Sequence, residues 1–122
     1  MVLQLQNSLV TIASINLEKL VTFYTSLVGE ASNYIPNIYA EFQLPGSILG
    51  IFKPKTTNEG EFKNATQSTM SLCLEVNNLE EAIVLLTNLG YPPPGVITTA
   101  SHGREIYAYD PEGNRIILHQ AF

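Results

Sequence analysis

A chain of 122 residues is the length of one ordinary domain and leaves no room for two separately cored ones. Hydrophobic residues make up 45% of it and charged residues 14%, which excludes the charge-rich, apolar-poor composition of a disordered chain. Eleven acidic against six basic side chains give a formal charge of -5, which opposes a phosphate backbone or an anionic lipid surface, so neither nucleic acid nor membrane is an expected partner.

The first residues, Met1 to Asn7, lack the basic start and apolar run of a secretory signal, and no apolar stretch reaches membrane-spanning length. A lone cysteine, Cys73, cannot form an intramolecular disulfide, so a cytoplasmic setting is expected. Val10 and Ile12 then alternate with Leu9, Thr11 and Ala13 as in a strand buried on one face. Leu17, Leu20, Val21, Tyr24, Leu27 and Val28 follow at helical spacing, with Asn16 placed to cap the helix and Gly29 to end it. Two strands are predicted around Ile38 to Leu44 and Ile48 to Phe52, separated by the turn residues Pro45-Gly46-Ser47.

A polar linker, about residues 54–68, comes next, with Phe62 as a candidate anchor. Met70, Leu72, Leu74 and Val76 alternate with Ser71, Cys73 and Glu75, predicting a second strand-then-helix pair. Its helix carries Leu79, Ala82, Ile83, Leu86 and Leu89, capped by Asn78 with Glu81 three residues on and closed by Gly90. Pro92-Pro93-Pro94 stops the helix and stiffens its exit. Strands are predicted over Gly95 to Thr98, Arg104 to Tyr109 and Asn114 to Gln120.

The two helices are copies. Asn16 and Asn78, Leu17 and Leu79, Glu18 and Glu80, Thr25 and Thr87, and Leu27 and Leu89 are all separated by 62 residues, without a gap. An internal duplication follows, with module one at about 8–53 and module two at about 69–120, both within a single domain.

Asp110-Pro111-Glu112-Gly113-Asn114 lies between two apolar segments and reads as a tight hairpin turn without a catalytic role. Together with Gly103-Arg104 upstream and the strand and capped helix from Val10 to Gly29, it resembles the vicinal oxygen chelate superfamily, that is glyoxalase I, extradiol dioxygenases and bleomycin-resistance proteins. The resemblance extends from about Ser8 to Gln120. It implies an α+β fold of two βαβββ modules, whose curled mixed sheets form a cup with the helices outside, and it implies a homodimer.

Catalytic members of that superfamily hold a divalent metal with a residue from the first and the last strand of each module, normally His, Glu or Gln. The resemblance puts those positions at Leu9, Gly50, Ser71 and Ile117. Leu and Ile have no donor atom, Gly has no side chain, and Ser alone is a poor ligand, so no metal and no cofactor is expected. Strand alternation gives the cup lining. It includes Leu9 and Thr11 from the first strand, Gly50 and Phe52 from the last strand of module one, Ser71, Cys73 and Glu75 from the first strand of module two, and Ile117 and His119 from the final one. Tyr107 lies ten residues before Ile117, a spacing that resembles the active-site tyrosine of extradiol dioxygenases.

The expected function is therefore metal-free binding of a small molecule, neutral or cationic and possibly aromatic, in a mostly apolar cup. Two alternatives stand beside it. One is a lyase, isomerase or dioxygenase with an unconventional metal site, such as Glu75 and His119 with a third ligand, or one that uses Glu75 or Tyr107 as acid or base. The other is a cup closed by its own side chains in a protein that serves only as an interaction module.

Overall fold

The computed structural model describes all 122 residues, and the chain divides into two compact units, 1–62 and 63–122, whose boundary falls inside the expected linker. Unit one runs β1 (Val10–Ala13), α1 (Leu17–Val28), β2 (Asn33–Ile35), β3 (Tyr39–Leu44) and β4 (Ser47–Phe52). Unit two runs β5 (Leu72–Glu75), α2 (Leu79–Asn88), β6 (Thr98–Ala100), β7 (Gly103–Tyr109) and β8 (Arg115–Ala121). Each unit is thus a βαβββ module, and its four strands form an open mixed sheet ordered β1-β4-β3-β2 or β5-β8-β7-β6. The first strand pairs with the last in parallel, and the other neighbours pair antiparallel.

The duplication is visible residue by residue. Val10 corresponds to Leu72 and Ala13 to Glu75, the same offset of 62 that relates the helices. Val10 pairs with Leu49 and Leu72 with Ile116, so the last strands are offset by 67, because the second module is longer between its helix and its last strand.

Each helix seals one face of its own sheet. Leu17, Leu20, Val21 and Tyr24 of α1 are buried, as are Ala40, Phe42, Leu49 and Ile51, the alternate residues of β3 and β4 that face them. In unit two Leu79 and Leu86 of α2 are buried, as are Ile106, Ala108, Ile116 and Leu118, the alternate residues of β7 and β8. Burying each large side chain of this kind is worth about 1.5–3 kcal/mol. Val10, expected among the packed residues, is partly exposed at the strand start, while Ile12 is half-buried.

The helix starts are tied down at equivalent positions. Asn16 and Asn78 accept from the backbone N–H three residues on. Glu18 accepts from the Tyr34 hydroxyl and the Asn37 N–H, whereas its counterpart Glu80 is bound by Arg104. Gln120 Oε1 accepts from the Leu79 N–H at 2.7 Å, fixing α2 on the final strand.

The turn motif behaves as read. Asp110 is buried and its carboxylate accepts from the Glu112 and Asn114 N–H groups and from Asn114 Nδ2, while Gly113 takes the left-handed backbone the turn needs.

Three local expectations are corrected. The strand β2 stands at Asn33–Ile35, where periodicity predicts no strand although the βαβββ module requires one, β5 begins at Leu72 instead of Met70, and β6 lies at Thr98–Ala100 instead of Gly95 to Thr98. The linker contains short 3-10 segments at Thr56–Phe62 and Ala65–Gln67. Phe62 does anchor it, edge-on to Phe52 with ring centroids 5.5 Å apart. No helix is long and apolar enough to cross a membrane.

Candidate functional site

With one face of each sheet sealed by its helix, the opposite face carries the remaining alternate residues. In unit one these include Thr11, Tyr39, Glu41, Gly50 and Phe52. In unit two they include Cys73, Glu75, Glu105, Tyr107, Ile117 and His119. Thr11 pairs with Gly50 and Cys73 with Ile117, so the register makes Gly50 and Ile117 equivalent positions.

None of the four positions that the resemblance marks for metal ligands carries a usual ligand side chain, and two of them, Gly50 and Ser71, are engaged by other residues. A Cβ added at Gly50 would stand 2.8 Å from Tyr39 Oη and 3.2 Å from Leu9 Cδ1, so these two side chains already cover that point of the sheet. Leu9 itself precedes β1 and is 43% exposed. Ser71, just before β5, accepts a hydrogen bond from Arg115 Nε at 2.6 Å, and the same guanidinium is held by the Ser68 carbonyl. Ile117 is half-buried and purely hydrocarbon. This donor set does not fit the divalent metal of the superfamily's catalytic members. No group of three or more His, Cys, Asp or Glu side chains is gathered elsewhere in a way that could hold a metal ion.

Tyr39 takes over this point of unit one. Its hydroxyl donates to Glu41 Oε2 at 2.7 Å. That hydrogen bond, with burial and the Glu41 charge adding to it, pushes the phenol up to about 12, so it keeps its proton at every physiological pH. Glu41 Oε1 has only a long contact, 3.4 Å, from Gln43 Nε2.

Unit two is organised around His119. Its ring is buried, its Nδ1 lies 2.6 Å from Glu75 Oε2, and His102 stacks on it with centroids 4.7 Å apart. His119 Nε2 is buried without a partner and faces Gly103. The hydrogen bond from His119 lowers the Glu75 carboxyl below the usual glutamate range, and the Ala121 N–H contributes in the same direction. Because the folded-state value is the depressed one, this contribution to stability is present above the unfolded glutamate pKa of about 4.3 and is lost as pH falls through the folded value. Thermal melts of Glu75→Gln against the unmodified chain are expected to differ most near pH 7 and to converge on acidification. A gap that stays constant with pH would contradict this coupling.

Cys73 is exposed, but partial burial raises its thiol pKa, and the neighbouring Glu75 and Glu105 carboxylates raise it further. A nucleophilic role would need the opposite. Alkylation by iodoacetamide at pH 7.5 is expected to be several-fold slower than for a free thiol of ordinary pKa, and faster in Glu75→Gln. Equal rates would remove the electrostatic explanation.

Of the residues expected to line the cup, unit one brings together Leu9, Thr11, Gly50 and Phe52, and unit two Cys73, Glu75, Tyr107, Ile117 and His119. Ser71 sits at the margin, engaged by Arg115. Sequence reasoning missed Tyr39, Glu41 and Arg115. Alternation against the buried Ala40 and Phe42 was the signal that could have found the first two.

No protein-family model matches the chain, and no curated protein matches it in sequence. Solved structures do match in shape along nearly the whole length. A glyoxalase/bleomycin resistance protein from Catenulispora acidiphila is 22% identical with a TM-score of 0.68, over 95% of this chain and 98% of that one. The fosfomycin resistance protein FosX from Listeria monocytogenes is 18% identical with a TM-score of 0.73, over 100% and 96%. A bleomycin-binding protein solved with bleomycin is 17% identical with a TM-score of 0.67, over 97% and 100%. The chain has the glyoxalase/bleomycin-resistance fold. The superfamily resemblance read from the turn motif and the duplicated helices therefore holds at the level of fold. Within that fold, this chain has hydrocarbon side chains at Leu9 and Ile117, two of the positions that the resemblance marks for metal ligands, and sets the Tyr39–Glu41 pair over Gly50.

Proposed function

We propose that this chain is a metal-free small-molecule-binding protein of the glyoxalase/bleomycin-resistance fold, acting as a homodimer and holding its ligand against the open sheet faces without turning it over. The observation that carries the reading is the covering of Gly50 by Tyr39 and Leu9, which leaves the point where a metal ligand would project filled by a phenol and a hydrocarbon chain. Its support is the chemistry of the faces. Aromatic and aliphatic side chains mixed with a few carboxylates suit a neutral or cationic, partly aromatic molecule. A protein of the same fold was solved with bleomycin bound, which makes small-molecule binding a natural use of this architecture.

Elemental analysis of protein purified without chelator or added metal, with thermal shifts across Ni, Zn, Mn and Fe(II), tests the metal-free part. No stoichiometric metal and an unchanged Tm are expected. Stoichiometric metal with stabilisation that grows with its concentration would overturn it. A fragment screen followed by amide NMR tests the binding part, with perturbations expected in β1, β3 and β4 or in β5, β7 and β8. Sedimentation velocity tests the dimer.

A further inference from the structure

The open face of the first sheet is unusual in its charge. No strand of that sheet contains Lys or Arg, yet Glu41 sits in it, opposite Gly50, and takes part in no ion pair. One carboxylate oxygen holds the Tyr39 hydroxyl at 2.7 Å, and the other has only the 3.4 Å contact from Gln43. With its single proton committed to Glu41, the phenol has only lone pairs left to offer. The pair therefore presents acceptors and a negative charge, and no donor of its own. Aromatic rings stand beside it, since Phe52 pairs with Tyr39 across the strands and Phe62 packs edge-on to Phe52.

The duplication supplies an independent observation. By register, Tyr39 opposite Phe52 corresponds to Glu105 opposite His119, and Glu41 opposite Gly50 corresponds to Tyr107 opposite Ile117. Both modules thus carry one carboxylate and one phenol at the same two places, in exchanged order. In the second sheet Arg115 stands on the same face, whereas in the first nothing cationic balances the charge.

We propose that the Tyr39–Glu41 pair is a recognition site for an organic cation bearing N–H donors on an aromatic body, an arylalkylammonium or amidinium. Its nitrogen donates to Glu41 Oε1 and to the Tyr39 oxygen, while its ring packs on Phe52. This rests on the small-molecule-binding reading and names the ligand class for unit one. It needs no metal, because the attraction that a cation would exert on an anionic ligand is here reversed in sign and placed on the protein side.

The test compares 2-phenylethylammonium with the neutral 2-phenylethanol by calorimetry and amide NMR. The ammonium is expected to bind at least about tenfold tighter, the scale of one hydrogen bond to a charged group, with shifts concentrated in Tyr39–Leu44 and Ser47–Phe52. Glu41→Gln should erase the preference, and Tyr39→Phe should weaken it; the second variant keeps the test open if the first fails to fold. Glu30→Gln, which removes the same formal charge from an exposed site outside the strands, should leave the preference unchanged. Equal binding of the two probes, or a preference that survives Glu41→Gln, overturns the proposal and leaves small-molecule binding intact. If neither probe nor any library fragment perturbs a strand of either unit, the binding reading falls with it.

Discussion

Gly103→Val is expected to destabilise the chain by about 3 kcal/mol, at the upper end of what overpacking costs, because the obstacle is backbone and cannot swing aside. A Cβ at this buried position would collide with the Gln120 carbonyl oxygen and stand 2.7 Å from His119 Nε2. Gln120 also caps α2 through the Leu79 N–H and contacts Arg104, and His119 holds Glu75. A shift of β8 away from β7 would therefore loosen the helix start and the imidazole–carboxylate pair together. Urea denaturation monitored by circular dichroism reads the loss. An unfolding free energy within about 0.5 kcal/mol of the unmodified chain's, the spread of ordinary surface substitutions, would mean that the β7–β8 edge is more pliable than its geometry implies.

Phe42→Ala should cost about 4 kcal/mol, within the 3–5 kcal/mol of a phenylalanine deleted from a core. Phe42 is 1% exposed and lies 6.2 Å, centroid to centroid, from Tyr24, which is itself fully buried and edge-on to Phe23. Its side chain lies between β3 and α1, against the buried Tyr24 ring. Against a total stability of about 5–15 kcal/mol for a domain, that is a large fraction. Tyr39 and Glu41 share the strand with Phe42, so a cavity beneath them is also expected to blur the acceptor geometry of the open face. Denaturation gives the first effect and loss of the ammonium preference the second. A cost below about 1.5 kcal/mol would show that α1 settles onto the sheet and closes the gap.

The parts of this fold that repeat at short range were legible in the sequence. Leu17 to Val28 and Leu79 to Leu89 announce their helices by spacing, and the shared Asn, Leu and Glu at each start expose the duplication before any strand is paired. The strand β2 was not legible, because Asn33, Tyr34 and Ile35 are all exposed and show no alternation. What holds them is pairing with β3 and the reach of Glu18 from α1 to Tyr34. The candidate site divides in the same way. Glu75 and His119 could be placed on one face by parity alone, and they do meet. Ser71 with Arg115 was not found, because an arginine next to a turn reads as a solvated charge until its guanidinium is seen on the Ser71 hydroxyl and the Ser68 carbonyl. Tyr39 was hidden for a chemical reason, in that a tyrosine at a strand start reads as core filling until its partner Glu41 and the bare Gly50 beneath it are seen together.

The parallel pairing of first and last strands also sets an order of events during synthesis. Leu72 cannot find Ile116 until the 44 residues that separate them have left the ribosome, which takes about 2–9 s at roughly 5–20 residues per second. Through that interval β5 has no neighbour in its sheet, and Leu72 and Leu74 wait uncovered beside the Cys73 thiol. The nascent second module is therefore most open to chaperone capture in the seconds before its final strand arrives, a vulnerability that the half-buried Leu72 and Leu74 of the finished sheet no longer display, whereas the Cys73 thiol stays exposed.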